Sequence, residues 1–355
     1  MKSPKQMLIM VVTLIIGMFF ISNSAMSQQM KLVSVKTKSP IVLDAFQEKA
    51  WSKAKALKVV LDETPYKPSN GYDGMKETTV SIKSSYNKSS IYFYIQWDDP
   101  TKSLARFPWI KQANGSWKQS MAKDSTGHDN SFYEDKLGIY WEIKAQGFKK
   151  KGCDVSCHIA EDGKVDGIKD TSAGRKYTKL AGETIDMWHW KGVRTNPLGL
   201  FDDQFVDSTK DPKKNKNWGR KGDDKIGGGY KNNINKAKTG PVFMNSGGSE
   251  EYKYMVVPWL RTKFVDNFKT GDVVPGIVLS AFTGHRADIK VKGAWKDGKW
   301  TLEVKRSLKT RGKNAKIQDV QFSDLKKPYY FGLSVFDNSQ INHIYHNGSI
   351  ELRFN

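Results

Sequence analysis

The chain is poor in cysteine and histidine, with two and six among 355 residues. Two thiols exclude an iron–sulfur cluster held by four cysteinates. Acidic residues are few beside basic ones, 37 Asp and Glu against 58 Lys and Arg, which leaves a formal net charge of +21. A nucleophile elbow, a P-loop, a dinucleotide fingerprint following a strand and an HExxH helix are all missing, so no common catalytic constellation is present. Beyond the N-terminus no run is apolar and long enough to span a bilayer.

The N-terminus is where apolar residues concentrate. Lys2 and Lys5 precede an apolar run from Met7 to Ile21 and a short polar stretch ending Ala25-Met26-Ser27. This pattern predicts a secretory signal peptide over residues 1–27, with an uncleaved anchor as the competing reading. After cleavage no membrane span is expected, and residues 28–355 would be exported to the periplasm or an equivalent compartment. The mature chain is long enough for one elaborated domain. Its positive field would attract an acidic protein partner or an anionic small molecule by long-range steering. The lysines are scattered instead of forming one basic helix or tail, and an exported protein rarely meets nucleic acid, so none is expected as partner.

Two-residue alternation dominates the sequence. Val80 and Ile82, then Ile91, Phe93, Ile95 and Trp97 after the turn residues Asn87–Ser89, form a hairpin pattern. Leu137, Ile139, Trp141 and Ile143 mark another strand face. Ile289 and Val291 lead through Trp295 to Asp297-Gly298 and on to Trp300, Leu302 and Val304. Tyr330–Phe336 and Ser349–Phe354 complete the set. The predicted fold is all-β, an antiparallel β-sandwich with long loops and a few short helices. Residues 210–239, rich in Lys, Gly and Asn, are expected to form a surface excursion, mobile or used for docking.

Both cysteines fall in Gly152-Cys153-Asp154-Val155-Ser156-Cys157-His158. Two thiolates beside a histidine read as a covalent haem c site: Cys153 and Cys157 add to the vinyl groups, and His158 takes one axial position on the iron. The spacing is one residue longer than the usual C-x2-C-H. A disulfide between Cys153 and Cys157, or part of a zinc site, are the competing readings.

Several motifs resemble the haem-binding gamma subunits of the dimethyl sulfoxide reductase family, the group of ethylbenzene dehydrogenase and the nitrite oxidoreductases. They are Pro40–Asp44 running to Trp51, Gln96–Pro100, Glu134–Leu137, Asp186–Lys191, Gly271–Gly276, Trp300–Arg306 and Phe331–Asn338, in the family's order over nearly the whole mature chain. The resemblance implies a β-sandwich that grips a haem between loops at one end. It implies a non-catalytic electron-transfer subunit, docked on an iron–sulfur (beta) subunit and a molybdenum catalytic (alpha) subunit, with a soluble cytochrome as electron partner. The b-type members ligate iron with methionine and lysine. Here Cys157-His158 stands where that methionine is expected and His343 where the lysine is expected, so His158 and His343 become the expected axial pair. His346, Lys191 and His189 are the alternatives for the second position. The strand Asp186–Lys191 is expected to line the haem, with Trp188 and His189 as contacts and Lys191 or Arg194 meeting the propionates; otherwise the tryptophans are core and the charges solvated. His128 and His285 lie in polar loops and are not expected to be ligands. The family's use of non-covalent haem leaves room for an additional haem b. Among these relatives a nitrite oxidoreductase type fits a covalent attachment best. A rival of a different class is an exported carbohydrate- or ligand-binding sandwich, which requires a Cys153–Cys157 disulfide and no chromophore.

Overall fold

The computed structural model describes residues 30–45, 48–65, 73–124, 127–156, 164–165, 168–169 and 175–355. The expected signal peptide, Cys157 and His158 lie outside the described residues.

One large sheet carries the fold. Its strands are β1 (Lys31–Lys36), β2 (Leu57–Leu61), β3 (Thr78–Tyr86), β4 (Ser90–Asp98), β5 (Lys136–Lys144), β6 (Thr184–Lys191) and β7 (Asp202–Val206), followed by β8 (Arg220–Gly222), β9 (Lys290–Lys296), β10 (Lys299–Ser307), β11 (Tyr329–Phe336), β12 (Ile344–Tyr345) and β13 (Ile350–Phe354). The order is β8-β7-β6-β5-β11-β13-β1-β3-β4-β10-β9, with β2 added on β3 and β12 on β11. β1 runs parallel to both its neighbours, β13 and β3, and the remaining pairs of this sheet are antiparallel.

The sheet doubles back into two layers because each half has one continuous aromatic and aliphatic face to bury. Phe93 of β4 meets Trp141 of β5 and Trp188 of β6, each at 5.8 Å between ring centroids. Trp190 of β6 packs edge-on to Trp97 of β4 at 5.8 Å and to Trp300 of β10 at 4.8 Å. An isolated bridge between Leu200 and Lys290, with Phe201 N donating to Ile289 O, draws the start of β7 toward β9. The antiparallel β-sandwich expected from the alternation is therefore the observed fold. Its helices are short: α1 (Phe148–Lys151) and α2 (Ala315–Gln318) have four residues each.

The turns follow their residues. Asp297 and Gly298 both have positive φ, 51° and 72°, the conformation of a type I′ turn, and β9 and β10 pair directly across it. Asn87 Oδ1 accepts from the backbone N–H groups of Ser89 and Ser90 and closes the β3–β4 turn. Within residues 210–239 the chain holds more order than its composition suggests. Trp218 is fully buried against Tyr177, and Lys225–Asn232 pairs with Ile277–Gly284 in a separate two-stranded ribbon.

Candidate functional site

The second face of the β6-β5-β11 layer is covered as well, since all eight residues of β6 are buried. Alternation sends Asp186, Trp188 and Trp190 to one face and Met187, His189 and Lys191 to the other. Register completes that second face: Met187 stands opposite Tyr140, His189 opposite Gly138 and Lys191 opposite Lys136 on β5. On β11, Gly332, Ser334 and Phe336 continue the same three rows.

Two glycines keep this floor low. A Cβ on Gly332 would sit 3.2 Å from Cys153 N and 3.6 Å from its Sγ, and one on Gly138 would meet Ser334 Oγ at 2.7 Å. Cys153 thus packs directly on the sheet, in a small cluster with Tyr140, Phe148, Ile185, Met187 and Tyr345. Gly152 sets its position. With φ of 57° it bridges to Gly348, so close that a Cβ would fall 1.9 Å from the Gly348 carbonyl oxygen.

Cys153, Met187, His189 and His343 line one cavity of about 60 Å³. It shares Lys136, Lys176, His189 and Arg220 with an adjoining basic cleft of about 160 Å³, which His128, Arg175, Lys191 and Arg194 also line. His189 and His343 flank Phe336, with ring centroids 5.9 and 4.6 Å from it.

His189 is the least satisfied group here. It is buried, and neither Nδ1 nor Nε2 has a hydrogen-bond partner among the described residues. Burial, reinforced by Lys191 and Lys136, holds its pKa well below the usual histidine value, so the ring is a neutral imidazole at pH 7. Leaving a buried polar atom unsatisfied costs about 1–3 kcal/mol. His343 Nδ1 lies 2.7 Å from the Ile341 carbonyl oxygen. A carbonyl only accepts, so Nδ1 carries a proton, the contact by which a backbone carbonyl orients a metal-binding imidazole.

The cations are arranged in two kinds. Lys191 donates to the Asp202 carboxylate and, at 3.1 Å, to Tyr230 Oη. Arg194 donates to Glu134, which also accepts from Val193 N and Arg194 N at 2.8 and 3.0 Å and lies 3.4 Å from Arg106. Burial alone would raise the Glu134 pKa, but the two guanidiniums outweigh it and hold the carboxyl below its ordinary value. Lys136 donates instead to the Gln340 carbonyl at 2.9 Å and stands over the Phe336 ring at 3.9 Å. Burial, with Arg194 nearby, pushes its pKa well below that of an ordinary lysine.

The sequence-predicted residues thus separate. Cys153, His189 and His343 come together, and Lys191 and Arg194 line the adjoining cleft as carboxylate-paired groups. Trp188 departs from its expected contact role. It lies on the core face of β6 and donates to Asp186 at 3.0 Å, because alternation puts it opposite His189. His346 is elsewhere, its Nδ1 3.3 Å from Val60 O, and His285 contacts Asp288 at 3.2 Å. His128 joins the basic cleft. Met187, Tyr140 and Lys136 were missed. The signal for Met187 was its shared face with His189; for the other two it was the alternation of β5, where Lys136, Gly138 and Tyr140 interleave with the core residues.

The donor set suits a haem: a buried cysteine on a glycine floor, the neutral imidazole of His189, the carbonyl-oriented imidazole of His343 and a cationic rim for carboxylates. Both spaces are smaller than the roughly 300–1,000 Å³ of pockets that engulf organic ligands.

Residues 48–348 match the family model described as ethylbenzene dehydrogenase. The chain belongs to the ethylbenzene dehydrogenase family. Membership places it among subunits of multi-subunit molybdoenzyme complexes. No curated protein matches it in sequence. Among solved structures, a family 9 carbohydrate-binding module from Caldicellulosiruptor kristjanssonii in complex with glucose superposes with a TM-score of 0.34 at 8% identity, covering 92% of this chain and 95% of that one. A putative carbohydrate-binding protein from Bacteroides uniformis gives 0.34 at 8% identity, covering 92% of this chain and all of that one. These overlaps are too loose to say anything about ligands. Among the described residues no helix is long and apolar enough to cross a membrane.

Proposed function

We propose that this member of the ethylbenzene dehydrogenase family is an exported electron-transfer subunit, of nitrite oxidoreductase type, that holds a covalent haem c. The observation that carries the reading is the meeting of Cys153, His189 and His343 around one cavity, with His343 oriented by the Ile341 carbonyl. Cys153 and Cys157 would hold the macrocycle, and His158 and His343 would be the axial ligands. When bound, a haem supplies one-electron redox chemistry between an iron–sulfur subunit and an external cytochrome.

This chain's own part is positional and electrostatic. The Ile341 carbonyl orients His343, Gly332 lets Cys153 sit against the sheet, and Phe336 packs against both imidazoles. Lys176 and Arg220 on the rim suit propionate carboxylates. Their positive field favours the reduced, less positive iron and raises the potential.

The test is an optical and EPR comparison of wild type, His343→Ala and His189→Ala, each matured as a c-type cytochrome. The His343 variant should turn a low-spin six-coordinate spectrum high-spin, while the His189 variant keeps it low-spin. The opposite pattern would transfer the ligand role to His189, and a low-spin spectrum in both would remove both assignments.

A further inference from the structure

The core side of β6 carries a second group of side chains that the haem reading does not use. Asp186 of β6, Asp203 of β7 and Asp319, just past α2, each bring one carboxylate oxygen to within 4.8 Å of the others, all buried. Asp223, one residue beyond β8, is buried beside them, close enough that Asp319 and Asp186 add to the effect of burial in raising its pKa.

Hydrogen bonds account for only part of this cluster. Asp186 Oδ2 accepts from Trp188 Nε1 and from Val320 N at 3.0 and 2.9 Å. Asp319 accepts from Arg306 at 2.7 Å and from the Thr310 hydroxyl at 2.8 Å. Asp186 Oδ1, both oxygens of Asp203 and both oxygens of Asp223 are buried without a hydrogen-bond partner among the described residues. Asp203 is fully buried, with neither oxygen partnered among the described residues and one of them within 4.8 Å of the Asp186 and Asp319 carboxylates. Arg306 is the cation in contact, 3.6 Å from Asp186 and 2.7 Å from Asp319.

The other buried acidic group gives a contrast. Asp99, Asp135 and Asp337 also lie together, yet there Asp135 accepts from Ser103 N, Trp300 Nε1 and Asn338 N, and Asp337 from Met75 N and the Thr101 hydroxyl. A single oxygen, Asp99 Oδ2, is left over. That group is closed by its own backbone, and the cluster around Asp203 is not.

Buried carboxylates are kept when they are paired or coordinate a metal. An all-oxygen, all-carboxylate set without sulfur or imidazole selects a hard cation, and calcium accepts irregular oxygen geometry where magnesium demands a near-ideal octahedron. We propose that Asp186, Asp203, Asp223 and Asp319 bind one divalent hard cation, calcium by ligand class, which ties β6, β7, the end of β8 and α2 together. The site lies behind the strand that carries His189, and it stands whether or not a haem is bound.

The experiment uses the whole mature chain, stripped with EGTA and then titrated with calcium chloride by isothermal calorimetry, with thermal unfolding followed in calcium and in EGTA. One calcium per chain is expected, with Tm several degrees higher in calcium because only the folded chain assembles the ligands. Asp203→Asn should abolish both binding and the shift. If that variant does not fold, Asp223→Asn is the second test and should weaken binding at least tenfold, while Asp337→Asn should leave it unchanged. No binding heat and equal melting in calcium and EGTA would overturn the proposal and assign protons to the cluster.

Discussion

His189 and Glu134 show how differently two buried titratable residues of one wall are treated. Glu134 accepts from two backbone N–H groups and two guanidiniums bear on it, whereas His189 has no hydrogen-bond partner among the described residues. Replacing Glu134 by Gln leaves Arg106 and Arg194 uncompensated, and should destabilise the fold by about 3–5 kcal/mol in urea unfolding at pH 7. Because the folded pKa of Glu134 lies below its ordinary value of 4.5, its contribution is present above that value and is lost as pH falls through the folded pKa. The variant should therefore show a flatter loss of stability on acidification than wild type. Of these residues, alternation in Asp186–Lys191 made His189 and Lys191 legible as neighbours on one face. Glu134 as a hub was not, since its partners are set by tertiary approach of Arg106 and Arg194 and by no local period.

At the scale of elements, β6 is the strand on which the site depends. It is buried on both faces, so its two rows serve different purposes: tryptophans for the core, and Met187, His189 and Lys191 for the cleft. The hairpins of β3–β4 and β9–β10 could be read in advance because alternation and turn residues are local. The order β6-β5-β11 could not, since register joins residues about 50 and about 195 positions apart, and it is register that puts Lys136 and Phe336 into the site. Gly152 is the hinge on which Cys153 is set. Gly152→Ala would force a Cβ against the Gly348 carbonyl at a φ of 57°, and should destabilise by about 1–3 kcal/mol. The same variant should lower the yield of covalently attached haem on maturation, and a yield equal to wild type would separate Cys153 from attachment.

For the whole molecule, the doubled-over sheet supplies two independent places behind one strand: a basic cleft with imidazoles on one side and a carboxylate cluster on the other. The formal charge of +21 surrounds a cleft that is itself lined by Lys136, Lys176, Arg175 and Arg220, which suits docking to acidic partners at a rate that falls with ionic strength. Raising salt from about 50 to 500 mM should slow electron transfer to an acidic acceptor cytochrome at least tenfold in stopped-flow traces; a salt-independent rate would remove the steering role. Sandwich class and family were legible in the sequence. The site was legible as Cys153, its histidines, Lys191 and Arg194; Lys136, Arg220 and the glycine floor were not, because they come from strands that alternation alone cannot place side by side. The most direct test of the haem reading is a pyridine haemochrome spectrum on chain matured in a c-type-competent host, with haem staining after denaturation. A c-type band that stays with the unfolded chain is the predicted result. A colourless protein with Cys153 and Cys157 joined as a disulfide would contradict it.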